Sequence, residues 1–372
     1  MATIHLQTLT PVHIGSGRMW QENFDYLLFQ KEACLAVLSD IKILKIIGRE
    51  NLDEWVRLID NLNPKSPNNS LRDFLERSYS NLKAVDIASR TIPLSKLGIL
   101  TKDIREQMHS GDGRVLMPGS SLKGAIRTSV WSDLVIDNAD LMKDKNNLGI
   151  YDRKNNFNYS DAPLSKNFFG SDPNHDIFRL LQVGDVLFDK QRQTEIASVN
   201  VFNFYHNGWG IKKELNQTIE LIPEGTPATL DIKFNDTLRK RAGKTFKHNT
   251  ERLELDNLFK SVDKHSRKLI TDEINFWKEN IDHDNIEEYI FALEKMMADT
   301  EGFIVRVGWG SGYRSMTGDW HEAMTKEDYD HLVKSVRDKP KKDKIYDEGL
   351  IFPKTLRLLE NGQPLGFVKL SV

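Results

Sequence analysis

VLMPGSSLKGAIRT, from Val115 to Thr128, runs a short apolar segment into Pro118 and Gly119, follows it with two serines and then opens a helix. Ser120 or Ser121 is placed to cap that helix, and Leu122, Ile126 and Val130 recur every fourth residue as its buried stripe. Lys123 and Arg127, also four apart, share a neighbouring face. A helix start offers unpaired N–H groups and a partial positive charge, so two cations one turn inside it make a phosphate clamp. The same spacing also fits a capped core helix with two solvated cations. It is not a Walker loop, because Gly124 is followed by Ala125 and Ile126 where Gly-Lys-Ser/Thr would be required.

Upstream, Thr3 to Leu9 alternates as a strand, TPVHIGSGR breaks it, and Phe24 to Phe29 makes a second. Helical spacing follows at Ile41 to Ile47, Leu52 to Leu62 and Leu71 to Leu82, interrupted by the loop NPKSPNNS. The helix entered at Gly119 continues to about Asp137, and 139–176 is polar and aperiodic, which predicts a long mobile loop. Downstream, VGDVLF, TEIASVNVFNF and QTIELIPEGTPATLDIKF read as strands, the last broken at Pro223 to Pro227 as a hairpin. Helices at about Leu253 to Glu279 and Ile286 to Met297 precede the strand GFIVRVG, the glycine-rich GWGSGYRSMTG (308–318), a helix from Lys326 to Val336, and the strands TLRLLE and LGFVKL. Strands and helices without regular βαβ alternation indicate an α+β fold.

At 372 residues the chain exceeds the size at which one core stops growing, about 250 to 300 residues, so two domains are expected. The first is 1–190, with a helical insertion at about 40–110 and the polar loop; the second is 191–372, with the glycine-rich loop. No apolar run approaches the roughly 20 residues of a membrane span, and the N-terminus lacks the features of a signal peptide, so the expected location is cytoplasmic. Cys34 is the one cysteine, which excludes an intramolecular disulfide and a multi-cysteine zinc site. The 10 histidines show no metal-binding spacing, and neither a metal nor another cofactor is expected. A net charge of −2 argues against a uniformly basic nucleic-acid binder and leaves room for local basic stripes.

Three further segments suit anions. In the glycine-rich loop, Gly308, Gly310 and Gly312 let a backbone approach a ligand closely, Trp309 and Tyr313 can stack bases, and Arg314 can meet a phosphate. HIGSGR reads as a flexible glycine turn after a strand, offering His13, Gly15, Ser16, Gly17 and Arg18; His13 has the chemistry of a general acid or base. TLRKRAGKTFKH brings Arg239, Lys240, Arg241, Lys244 and Lys247 together without an acidic residue, as a flexible basic loop that would track a phosphate backbone. Each also fits a plain turn or a solvated surface. No nucleophile elbow, carboxylate metal cluster or cysteine–histidine signature is present, so no catalytic constellation is assigned.

The order of LTPVHIGSG, MPGSSLKGAIRT, PEGTPATLDIKF and VGWGSGYRSMTG resembles the CRISPR-associated RAMP superfamily of guide-RNA-binding proteins. Length and the GWGSGY form of the late loop are most similar to the type III-A (Csm) effector subunits that cap the 3′ end of the guide. The resemblance implies two ferredoxin-like, RNA-recognition-motif-like domains with helical insertions. It implies a non-catalytic role: binding the 3′ region of crRNA, capping the backbone filament, and supporting crRNA maturation and antiviral defence. The implied partners are crRNA, the backbone RAMP subunits, the small subunit, and nucleases that trim the guide; no membrane is implied. On matching positions, Ser120, Ser121, Lys123 and Arg127 would hold guide phosphates, and Gly310, Ser311 and Gly312 would form the family's glycine-rich loop, with Tyr313 and Arg314 beside it. Other RAMP members cut RNA without metal, so a processing endoribonuclease using His13, with Lys123 or Arg127 stabilising the developing charge, is the alternative.

Overall fold

The first strand, Ala2–Thr8, finds its hydrogen-bond partners far along the chain: Pro227–Phe234 on one side and Phe367–Ser371 on the other, both antiparallel. Leu181–Val183 and Phe303–Arg306 complete this five-stranded sheet at its two edges. Ile4 and Leu6 point inward with Leu230, Ile232, Val368 and Leu370, as the period-two pattern requires. The helices Gly119–Asp137 and Leu255–Asn280 contribute Leu122, Ile126, Val130, Leu258 and Val262 to the same core. The fold is a computed structural model that describes residues 2–61, 71–94, 103–189, 194–205, 208–246, 249–281, 283–318, 320–337, 353 and 355–372.

A second sheet runs in the order Gly208–Ile211, Glu195–Tyr205, Gln217–Leu221, Asp103–Gln107, Gly15–Gln21, with Thr355–Leu359 also paired to Glu195–Tyr205. A small sheet of Tyr26–Phe29, Cys34–Leu38 and Ala88–Pro93 carries the helices Asp40–Ile47, Leu52–Asn61 and Leu71–Ser78 on its own core of Leu27, Ile43, Leu75 and Ile87. The helical insertion is therefore shorter than 40–110, since Asp103–Gln107 belongs to the second sheet.

Further expectations need correction. The boundary at residue 190 does not divide the two larger sheets, because both are built from strands on either side of it. The polar stretch 139–176 is folded: it holds the hairpin Gly149–Tyr151/Phe157–Tyr159 and the helix Ala162–Phe169, and it buries Met142, Leu148, Leu164, Phe168 and Phe169. Its anchors are too widely spaced to leave a period in the sequence. The break at Pro223 to Pro227 is a crossing between sheets, since the strands flanking it lie in different ones. Thr8 fixes that crossing, donating its hydroxyl to the Pro223 carbonyl at 2.6 Å and accepting the Thr226 N–H at 2.8 Å. Finally, HIGSGR enters a bulged strand, Gly15–Gln21, where a turn was expected.

The Gly119 helix also starts differently from the expected serine cap. Ser120 and Ser121 lie inside its first turn, and the Gly119 N–H donates to the Asp185 carboxylate at 2.7 Å. A Cβ on Gly119 would overlap the Val183 carbonyl and sit 2.7 Å from that of Gly184. Gly124, by contrast, faces open space. Gly119→Ala is expected to destabilise the protein by about 3 kcal/mol, as overpacking against backbone does, while Gly124→Ala stabilises it by about 1 kcal/mol through helix propensity. Urea denaturation midpoints check both, and equal shifts of one sign would refute the close approach.

Candidate nucleic-acid interface

The two cations of the opening stretch are turned inward. Lys123 Nζ donates to the Leu181 carbonyl at 2.7 Å, and burial pulls its ammonium below the usual range. Arg127 makes two bonds to Asp176, at 3.0 and 2.9 Å, and its guanidinium lies 4.1 Å from the Phe169 ring and 4.9 Å from that of Phe178. Both side chains tie the helix to the segment entering Leu181–Val183. The expected phosphate clamp is thus filled by internal groups: Asp185 at the helix start, a carbonyl on Lys123 and a carboxylate on Arg127. Ser120 is the exposed member of the four, and Ser121 is half-buried.

His13 is buried, its Nδ1 lying 2.6 Å from the Glu220 carbonyl oxygen. Burial lowers its pKa, opposed by that backbone bond. Ser16 donates to Glu106 at 2.7 Å, and Arg18 is an exposed cation between Asp25 and Glu106, so the Ser16–Arg18 corner has acidic neighbours. Gly15 packs near the His13 ring and Gly17 is open to its surroundings.

The glycine-rich loop meets this corner directly. Trp309 N–H donates to the His13 carbonyl at 2.9 Å, and a Cβ on Gly308 would lie 2.5 Å from the same oxygen. Gly308, Gly310 and Gly312 have φ of 81°, 87° and 80°, so each alternate position takes a conformation that side chains disfavour. Gly312–Thr317 then forms a short helix with Ser311 at its N-cap, where Tyr313 lies 5.2 Å from the His321 ring and Arg314 lies 3.6 Å from Glu322. Arg306, buried just before the loop, is held by Glu273 at 2.9 Å and by the Leu365 carbonyl at 3.1 Å. The loop therefore leaves the first sheet from a rigid base and lands on the second.

The expected flexible basic loop is the helix Asp236–Ala242, which carries Arg239, Lys240 and Arg241. Arg239 pairs with Asp236 and Glu254, and Lys240 with Asp236, so acidic residues outside the basic run engage two of its five cations. Arg241 is exposed, Lys244 lies in the next helical turn, and Lys247 falls outside the described residues. Two cations escaped the sequence reading: Arg105 and Arg357, whose guanidiniums lie 5.4 and 5.0 Å from the Trp309 ring. They are distant in sequence and meet through strand pairing, so no local pattern marks them.

Among the described residues no cluster of His, Cys, Asp and Glu could hold a metal ion, and no helix is long and apolar enough to cross a membrane. The RAMP superfamily model matches residues 5–315. The chain is 24% identical over 345 residues, 88% of its length and 75% of the relative's, to the CRISPR system Cms protein Csm5 of Methanocaldococcus jannaschii. Its fold is similar, with a TM-score of 0.71, 21% identity and full coverage of both chains, to a chain of the cryo-EM Csm–crRNA–target RNA ternary complex of a type III-A CRISPR-Cas system. It is also similar to the crystal structure of T. onnurineus Csm5, with a TM-score of 0.65, 18% identity, and coverage of 98% and 99%.

The inward position of Arg127 gives a direct test. Arg127→Gln is expected to cost about 1 to 3 kcal/mol of stability, because it removes a charge-assisted pair and leaves Asp176 without it. A denaturation midpoint equal to that of the parent would return Arg127 to the role of a ligand-facing cation.

Proposed function

The chain belongs to the RAMP superfamily, and we propose that within it the protein is a non-catalytic, crRNA-binding subunit of a type III-A CRISPR (Csm) effector complex. It contacts the 3′ region of the guide, caps the filament of backbone RAMP subunits beside the small subunit, and acts in the cytoplasm. By holding that end of the guide it supports crRNA maturation, orienting the nucleases that trim it, and so antiviral defence. The similarity to Csm5 and to a chain of a crRNA-containing Csm complex supports crRNA and other Csm subunits as partners.

The observation that carries the reading is the junction between Trp309 and His13. It brings the glycine-rich loop and the corner after the first strand into one place, from segments almost 300 residues apart in sequence. We place the RNA contacts there: Gly310, Ser311, Gly312, Tyr313 and Arg314, with Gly17 at its margin. The first sheet supports the ferredoxin-like part of the reading. Without the edge strand Phe303–Arg306, its order is Leu181–Val183, Pro227–Phe234, Ala2–Thr8, Phe367–Ser371, with helices following Ala2–Thr8 and Pro227–Phe234. That is a βαββαβ arrangement in the strand order 2-3-1-4. The second sheet follows another order, so we propose the ferredoxin-like description for the first alone.

The processing-nuclease alternative is the weaker reading. A general base must reach the hydroxyl it deprotonates, and His13 is buried with one ring nitrogen on a backbone carbonyl. Two measurements separate the readings. Ultraviolet crosslinking of the native complex is expected to join peptides from 302–318 to the guide's 3′ region; crosslinks to no RNA would make the protein an end cap held by protein contacts. His13→Asn is expected to leave guide maturation intact, and lost cleavage with RNA binding retained would favour the nuclease.

A further inference from the structure

Half-buried arginines in this protein come with carboxylates: Arg90 with Glu220, Arg127 with Asp176, Arg267 with Asp263. Arg105 and Arg357 differ, since among the described residues neither has a carboxylate partner. Arg105 donates Nε to Gln217 Oε1 at 2.8 Å, and Arg357 Nε is buried with no hydrogen-bond partner. Their strands place them on one face of the second sheet. Arg105 stands beside Ile219, which pairs with Ala197, and Arg357 pairs with Val201 four residues along the same strand. Trp309 packs on that face against a cluster containing Val199, Ile219 and Leu359, and both guanidiniums lie over its ring.

Such a ring orders cations without supplying a countercharge. The two like charges repel across it, and burial together with the nearby Arg105 holds Arg357 below the usual guanidinium range. An anion between them removes both penalties. The glycine-rich loop borders the same place: a Cβ on Gly310 would lie 3.9 Å from that of Arg357, and the space around Gly312 is open. Backbone N–H groups of such a loop suit phosphate oxygens, which two planar guanidinium forks also match.

We propose that Arg105 and Arg357 form a phosphate-binding pair for the backbone of single-stranded RNA, with Trp309 as the positioning residue that holds both guanidiniums. The proposal rests on the RNA-binding reading above and names a contact for it. It favours RNA over an acidic peptide because the pair opens beside a glycine loop, where a chain of regularly spaced phosphates can run on.

The test uses the full-length protein and an oligouridylate of about 20 nucleotides, with binding followed by fluorescence anisotropy across a potassium chloride series. Losing two phosphate contacts is expected to reduce the negative log–log salt slope of the Arg105→Gln/Arg357→Gln variant by about 1.4, since each contact to a single strand adds about 0.7. Affinity at low salt is expected to fall at least roughly tenfold. Arg105→Lys/Arg357→Lys, which keeps both charges, is expected to keep the slope; if it loses the slope as the glutamine variant does, the effect is one of folding and the proposal falls. A glutamine variant that matches the parent in affinity and slope overturns the pair while leaving the RNA-binding reading in place. A parent that binds no oligouridylate at any salt concentration, in a protein whose complex yields no RNA crosslinks, overturns both.

Discussion

The approach of Gly119 to the backbone at Val183 and Gly184 is the constraint on which the rest of the structure depends. It brings a helix start within carbonyl contact of an edge strand, which a side chain at this position would prevent. Once there, the helix obtains its N-terminal hydrogen bond from Asp185, and Lys123 and Arg127 reach Leu181 and Asp176 one and two turns further on. Three polar links down one helix face fix how it lies on the first sheet, and Leu122, Ile126 and Val130 fill the core beneath it. The positive end of the helix and both cations are thereby matched to groups of the chain itself.

The second sheet is held by a different device. Glu220 is fully buried, and its carboxylate accepts from Arg90, from Thr194 Oγ1 and from the Gln107 N–H at 3.0 Å. Those partners come from the small helical unit, from the residue that leads into Glu195–Tyr205 and from Asp103–Gln107, so one charge ties three parts of the chain together. An isolated buried carboxylate is costly, and removing any one of these donors exposes that cost. The backbone of the same residue orients His13, whose carbonyl in turn receives Trp309. The position of the glycine-rich loop is therefore inherited from the buried ionic node behind it.

The sequence made much of this legible, and what it concealed has a common cause. Periodicity located Ala2–Thr8, Gly119–Asp137, Asp284–Asp299 and the terminal strands, because a buried stripe or alternating face must be written locally. The alternating glycines of 308–318 were legible for the same reason, since each answers to its own φ. Partnership was not. Lys123 and Arg127 have the spacing of a clamp, and only the fold shows that Leu181 and Asp176 occupy it. The basic run at 239–247 looked unopposed because Asp236 stands just before it and Glu254 beyond. Arg105 and Arg357 raised no expectation at all, being lone arginines in ordinary strands.

That asymmetry bears on where an anionic ligand can act in a nearly neutral chain. With 52 basic and 54 acidic residues, affinity for a polyanion cannot come from a uniform field and must come from cations the fold leaves uncompensated. Counting basic residues in the sequence is a poor guide to them, because a cation beside a carboxylate has already spent most of its attraction. Strand pairing, by contrast, sets two arginines on one tryptophan while placing the carboxylate of Glu220 on the other side of its strand, alternating with Gln217, Ile219 and Leu221. The negative charge is enclosed where it holds the structure together, and the positive pair remains on the face that the glycine-rich loop borders.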